Sequence, residues 1–292
     1  MLAACGFGPG EASEGGARIE VTRNFGNEFL GGTARLANVN EGDTVMRFLE
    51  KTHEVETSHG GGFVESIDGV KGDKAGQRDW FYFVNGIEAS KGAADFGLSE
   101  GDRIQWDHRN WRAAMRVPAI VGAFPEPMVH GREGKRLPVR VQCEKQDSAP
   151  CRDVMGRMSE QGIVASASAL QGQAGENSIR VLVGRWAILR DVRGAAAIER
   201  GPRASGVFAR FSGDRLELLG DEGQVARVAP PGTGLVAATE NESSGIVWVV
   251  TGADDAGVAR AAEAMEERKL HGAYAVAETP EESLRLPLVK SE

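Results

Sequence analysis

Trp80, Phe81, Tyr82 and Phe83 stand in one unbroken run, and Trp106, His108 and Trp111 follow a short way on, in a chain whose aromatic content is only 6%. On an extended strand Trp80 and Tyr82 point one way, Phe81 and Phe83 the other. One face of such a strand can fill a core while the other offers a flat aromatic surface to a planar ligand or a partner. Alternatively both faces are covered, one by a helix and one by a second domain. The candidate ligand-binding residues are therefore Trp80, Tyr82, Asn85, Trp106, His108 and Trp111; Asn85-Gly86 has the composition of the tight turn that would fix the register of this hairpin.

The three cysteines suggest other chemistry. Met1-Leu2-Ala3-Ala4-Cys5-Gly6 reads like a lipobox, in which small residues admit a peptidase, the Cys5 thiol takes a diacylglycerol, and the Gly-, Glu- and Ser-rich stretch to Ala17 forms a tether. That expectation requires a basic and then an apolar segment upstream of Met1; without one, Cys5 is an unmodified thiol in a cytosolic tail. Cys143 ends the apolar run Leu137 to Val141. Cys151 opens a helix whose inner face would be Cys151, Val154, Met155 and Met158. Strand end and helix start can adjoin, so a Cys143–Cys151 disulfide would suit an oxidising compartment, with two buried free thiols as the alternative. Cys-x7-Cys has no nearby pair to complete a zinc site.

Catalytic signatures are missing. The sequence has no Gly-x-Ser-x-Gly elbow, His-Glu-x-x-His helix or phosphate-binding Gly-Lys-Ser/Thr loop. Gly232 to Ala237 has the letters of a dinucleotide fingerprint, but two prolines precede it and an apolar run follows, as in a loop entering a strand. Asp68, Asp73 and Asp79 miss the spacing of a calcium loop and read as a solvated hairpin tip. His59, His130 and His271 are isolated in sequence and read as surface or turn residues.

The elements that must position these residues follow from pattern. Ile19 and Val21 alternate inward in an opening strand, Asp43 to Val55 carries a helical stripe, and Phe63 to Ile67, Trp80 to Val84 and Arg103 to Trp106 read as strands between turn signals. Strands around one helix make an α+β sheet of β-grasp type. Val117 to Arg136, with three prolines and three glycines, reads as an interdomain linker. Beyond it, first strands at Val139 to Cys143, Ile179 to Gly184 and Ile246 to Gly252 alternate with second strands opening at Gly162, Gly206 and Gly272, and with helices Cys151 to Gln161 and Asp254 to Lys269. That pattern predicts a second α+β domain of βαβ units, split βαβ or ferredoxin-like. The expected layout is a tether (1–17), a β-grasp-like domain (18–116), the linker (117–136), an α+β domain (137–280) and a tail (281–292). With 39 glycines in 292 residues, the chain favours tight turns and short strands over long bundles. A net charge of -8, spread over both halves, argues against a nucleic-acid partner. No apolar run is long enough to span a bilayer as a helix.

The run Asp79 to Ala89, followed by Gly92-Ala93, Gly101 to Trp106 and the upstream turn Ser66-Ile67-Asp68-Gly69, resembles the transcobalamin-like C-terminal domain family of bacterial surface proteins, over about residues 18–111. The resemblance implies a small grasp-like domain that, in the vitamin B12 carriers, closes as a lid over cobalamin on a separate helical barrel. No such barrel follows here, and Asp107-His108 do not form the Asp-x-His-x-x-Gly run of cobalamin enzymes. Taken together, the expectation is a non-enzymatic protein, lipid-anchored on the outer side of the cell membrane and touching the membrane through that anchor alone. It would need no resident cofactor. It would bind a small molecule, with cobalamin as the implied ligand, and pass it to a membrane transporter component. The alternative is a surface module that docks a protein or glycan on the same aromatic face. An enzyme domain within 137–280 is a third possibility, with no residues to name for it.

Overall fold

The computed structural model describes residues 15–171, 177–241 and 245–289; Cys5 and most of the expected tether lie outside them. The first half is built on β1 (Ala17–Arg23), β2 (Ala34–Leu36), α1 (Val45–Thr52), β3 (Arg78–Val84) and β4 (Arg103–Asn110). β1 lies parallel to β4 at the centre of the sheet, β2 runs antiparallel to β1, and β3 antiparallel to β4. Thr44 caps α1 by accepting from the Arg47 N–H, and the apolar residues Val45, Phe48 and Leu49 turn inward. They meet Ile19, Val21, Ile104, Trp80, Tyr82 and Trp106 in one core. Phe63–Ile67 was expected in this sheet and instead pairs with Val55–Ser58 and Val70–Lys71 in a small sheet of its own.

The second half contains β5 (Val139–Cys143), α2 (Ala149–Glu160), β6 (Ala165–Ala169), β7 (Ile179–Arg185), β8 (Gly234–Asn241), β9 (Gly245–Gly252), α3 (Asp255–Glu263), β10 (Ala275–Glu278) and β11 (Ser283–Leu286). They form one seven-stranded sheet in the order β6-β5-β7-β9-β8-β10-β11. The first four strands are parallel and the remainder antiparallel. This differs from the split βαβ or ferredoxin-like arrangement expected. The expected first strands are β5, β7 and β9, side by side at the centre, whereas Ala209–Ser212 leaves for a separate three-stranded sheet. The physical reason lies in β7 and β9, which are apolar on both faces and buried along nearly their whole length, as strands covered from both sides must be. The coarse class, mixed α and β and rich in sheet, is as expected.

Two further corrections concern segments. The helix expected over Asp254 to Lys269 is two helices, α3 capped by Asp254 and a short turn Glu267–Leu270. The Pro- and Gly-rich segment after Arg116 joins the halves as interior and not as an exposed linker. Val117, Ile120, Val121, Phe124 and Met128 are all buried, with Ile120 bonded to Gly86 of the first half and Val121 to Tyr274 of the second. Phe124-Pro125 and Glu126-Pro127 are cis. Cys143 and Cys151 form the expected disulfide, tying the end of β5 to the first turn of α2. No helix among the described residues is long and apolar enough to cross a membrane.

Candidate functional site

The aromatic residues chosen from the sequence share a face, as their spacing predicts, but that face is core. Trp80, Tyr82 and Trp106 are 6%, 9% and 3% exposed, and Tyr82 and Trp106 stack with centroids 4.8 Å apart beneath α1. The Trp80 indole donates to the Val70 carbonyl and the Tyr82 hydroxyl to that of Lys91. His108 packs against Trp80, and burial lowers its pKa, so it is neutral. Trp111 is half-buried and lies outside the cluster. The opposite strand face is covered too: Phe83 is fully buried against Tyr274 of the second half. An aromatic platform open to a ligand is therefore absent from this hairpin, because each of its faces already has a layer to pack against.

Asn85 alone leads to an open site. It occupies the left-handed region with Gly86, as an Asn-Gly hairpin turn demands. Its buried amide donates to Asp102 Oδ1 at 2.8 Å, and its carbonyl accepts from the Arg103 N–H. Asp102 lines a groove of about 1250 Å³ along the seam between the halves. One wall is the sheet face turned away from α1, where β1 and β4 present Arg18, Glu20, Arg103 and Gln105. The facing wall comes from Pro125, Glu126, Val129, His130 and the turn Ser159 to Gly162.

Arg18 is the register partner of Arg35 on β2 and of Arg103 on β4, so three arginines lie abreast across three strands. Arg103 donates to the Phe124 carbonyl at 2.8 Å and to Glu267 at 2.6 Å, which clamps the seam. Beside the row, burial pushes the Asp102 carboxyl up to about 6, although hydrogen bonds from Ser99 and Asn85 pull the other way. Glu126 is 1% exposed and accepts from both the backbone and the ring of His130; that ring bond raises the His130 pKa. Gly101 permits this contact, since a Cβ there would meet the His130 ring at about 2.5 Å. Further along, His271 lies 2.9 Å from Glu20. Burial would raise the Glu20 carboxyl, but the bonds from His271 and Thr33 bring it below its usual value. His130 and His271, expected as surface or turn residues, are thus partners of carboxylates at the seam.

A second cavity, about 240 Å³, opens at the carboxyl ends of β5 and β7, between Ser148 and Pro150 at the start of α2 and Asp255 and Val258 of α3. Asp68, Asp73 and Asp79 each bond to a different backbone N–H and do not converge. No group of three His, Cys, Asp or Glu side chains among the described residues could hold a metal ion. The groove residues Arg18, Arg35, Asp102, Arg103, Glu126 and His130 were missed from the sequence. Their available signal was alternation: Arg18, Glu20 and Thr22, and Arg103, Gln105 and Asp107, place a polar residue at every second position of strands whose other face is core.

Residues 42–110 match the model of a domain of unknown function, DUF4430. No curated protein matches the chain. Among solved structures, a protein from Ruminococcus gnavus ATCC 29149 described as a "putative metal binding protein" is similar at 16% identity, covering 32% of this chain and 96% of that one with a TM-score of 0.27. Haptocorrin in complex with Cbi is similar at 18% identity, covering 32% of this chain and 25% of its own, with a TM-score of 0.25. At these levels neither likeness carries a ligand over to this chain.

Proposed function

We propose that this chain is a non-enzymatic, extracytoplasmic binding protein that holds a small molecule in the seam groove and delivers it to a membrane transporter. The carrying observation is the groove itself. The halves share a buried core, yet along the start of β1 and β4 they stand apart over a charged sheet face. Ligand sites favour such clefts between packed units. The Cys143–Cys151 disulfide supports an oxidising compartment. Lipidation of Cys5 would hold the protein at the outer membrane surface, and labelling with a radioactive fatty acid in the native host tests it, with Cys5→Ser as the control.

The first half is read as β-grasp-like and related to the transcobalamin-like domains. Its two central parallel strands come from its two ends, with α1 across one face, and this supports that reading. A corrinoid is the ligand this relation suggests, and it would lie in the groove and not on the aromatic hairpin. Calorimetric titration of the purified chain with cobalamin should give saturable heat; silence up to high micromolar ligand removes the corrinoid and leaves the groove open to another small molecule. The alternative of a protein- or glycan-docking module has lost its carrier, since Trp80, Tyr82 and Trp106 are interior.

A further inference from the structure

Building on the groove as the binding site, we infer that its ligand is a soluble, multivalent oxyanion, bound through phosphate or carboxylate groups by the row Arg35, Arg18 and Arg103. Neighbouring strands lie about 4.8 Å apart, so side chains at paired positions emerge side by side. Like charges directly opposite one another destabilise a sheet. Two such juxtapositions occur in succession here, Arg35 beside Arg18 and Arg18 beside Arg103, on the face that lines the groove. Guanidinium forks match the geometry of carboxylate and phosphate oxygens, and a ligand carrying two or three such groups can span the row.

The acidic groups around the groove are already engaged. Glu126 is held by His130, whose ring is raised toward its charged form. Asp102 accepts from Asn85 and Ser99, Glu267 pairs with Arg103, and Glu20 pairs with His271. Glu160, exposed on the facing wall, opposes an anion at the mouth and limits how far out it can sit.

The test uses the full chain, with inorganic phosphate, pyrophosphate and citrate as probes and sodium chloride at matched ionic strength as the control. Pyrophosphate or citrate should raise the thermal midpoint and bind calorimetrically, more tightly than phosphate and more weakly as salt is added. Arg18→Gln and the exposed Arg35→Gln should each weaken binding about tenfold, the loss expected for a charged hydrogen-bonded contact. Arg215→Gln, outside the groove, should bind as the unaltered chain does. Circular dichroism establishes that each variant is folded, and Arg35→Gln, altered at an exposed position, decides the matter if Arg18→Gln is not.

Absence of binding by all three anions at millimolar concentration overturns the inference, as does unchanged binding in Arg35→Gln. An uncharged ligand that binds equally to the unaltered chain and to Arg18→Gln leaves the binding function standing and overturns the anion. Sedimentation with phosphatidylglycerol vesicles separates the sources: binding to vesicles without binding to soluble anions assigns the row to a lipid surface and overturns a soluble ligand.

Discussion

Asp107 is fully buried, and its carboxylate accepts from Thr22 Oγ1, the N–H groups of Phe25 and Gly26, and the Tyr274 hydroxyl, at 2.7 to 3.0 Å. Four donors from both halves thus converge on one charge. Asp107→Ala strands all of them and should cost about 3–5 kcal/mol in urea unfolding, while Tyr274→Phe, losing one charged hydrogen bond, should cost about 1.5–3 kcal/mol. A buried network of this kind leaves almost no mark in sequence: Asp107 reads as one more polar residue on an alternating strand, and Tyr274 lies far from it along the chain. The same applies to Asp102. Its carboxyl moves from 3.8 in its ordinary state to about 6 when folded. A carboxyl raised by folding adds stability below the unfolded value, and that stability is lost as pH rises through the folded value. Relative to Asp102→Asn, the unaltered chain should therefore lose at most about 3 kcal/mol between pH 4 and 6 and nothing more from this group above that. Urea midpoints of both proteins across that range provide the measurement; parallel curves would place the shift elsewhere.

The elements were legible where one physical signal dominated. The Asn85-Gly86 turn, the apolar stripe of α1 and the approach of Cys143 to Cys151 all follow from local pattern, and each is present. What local pattern could not supply was the layer on the far side. Trp80, Tyr82 and Trp106 share a face as expected, but whether that face meets water depends on α1 folding back over it. Trp106→Ala should accordingly act as a core deletion and cost roughly 3–5 kcal/mol, measured by urea unfolding; a loss below 1 kcal/mol would mean the face is open. For β5 and α2, the disulfide closes a short loop and should contribute on the order of 2–3 kcal/mol by the chain-entropy argument. Replacing both Cys143 and Cys151 by Ala should lower stability by that amount.

How the two halves meet was the least legible feature, because a proline- and glycine-rich segment looks the same in sequence whether it hangs in solvent or fills a seam. Here it fills the seam. Phe25 and Phe83 from the first half and Leu182, Trp186, Phe208 and Tyr274 from the second lie in one continuous core with Val117 and Ile120 between them. The apolar spacing of Val117, Ile120, Val121 and Phe124 was the available hint, outweighed by Pro118, Pro125 and Pro127. Two units that bury their largest aromatic residues against each other cannot unfold separately without exposing them, so their stabilities are coupled. Calorimetry should therefore show a single transition whose measured enthalpy equals the van't Hoff value. Ile120→Ala, at 1% exposure, should lower that transition by about 2–5 kcal/mol without splitting it. The groove borders this seam and takes one wall from each half, so a ligand bound there stabilises both. Its effect should be a rise in the one midpoint that grows with the logarithm of ligand concentration. Two resolved transitions, only one of them moved by Ile120→Ala, would mean that the halves fold independently and that the groove is a gap between them with no shared energetic consequence.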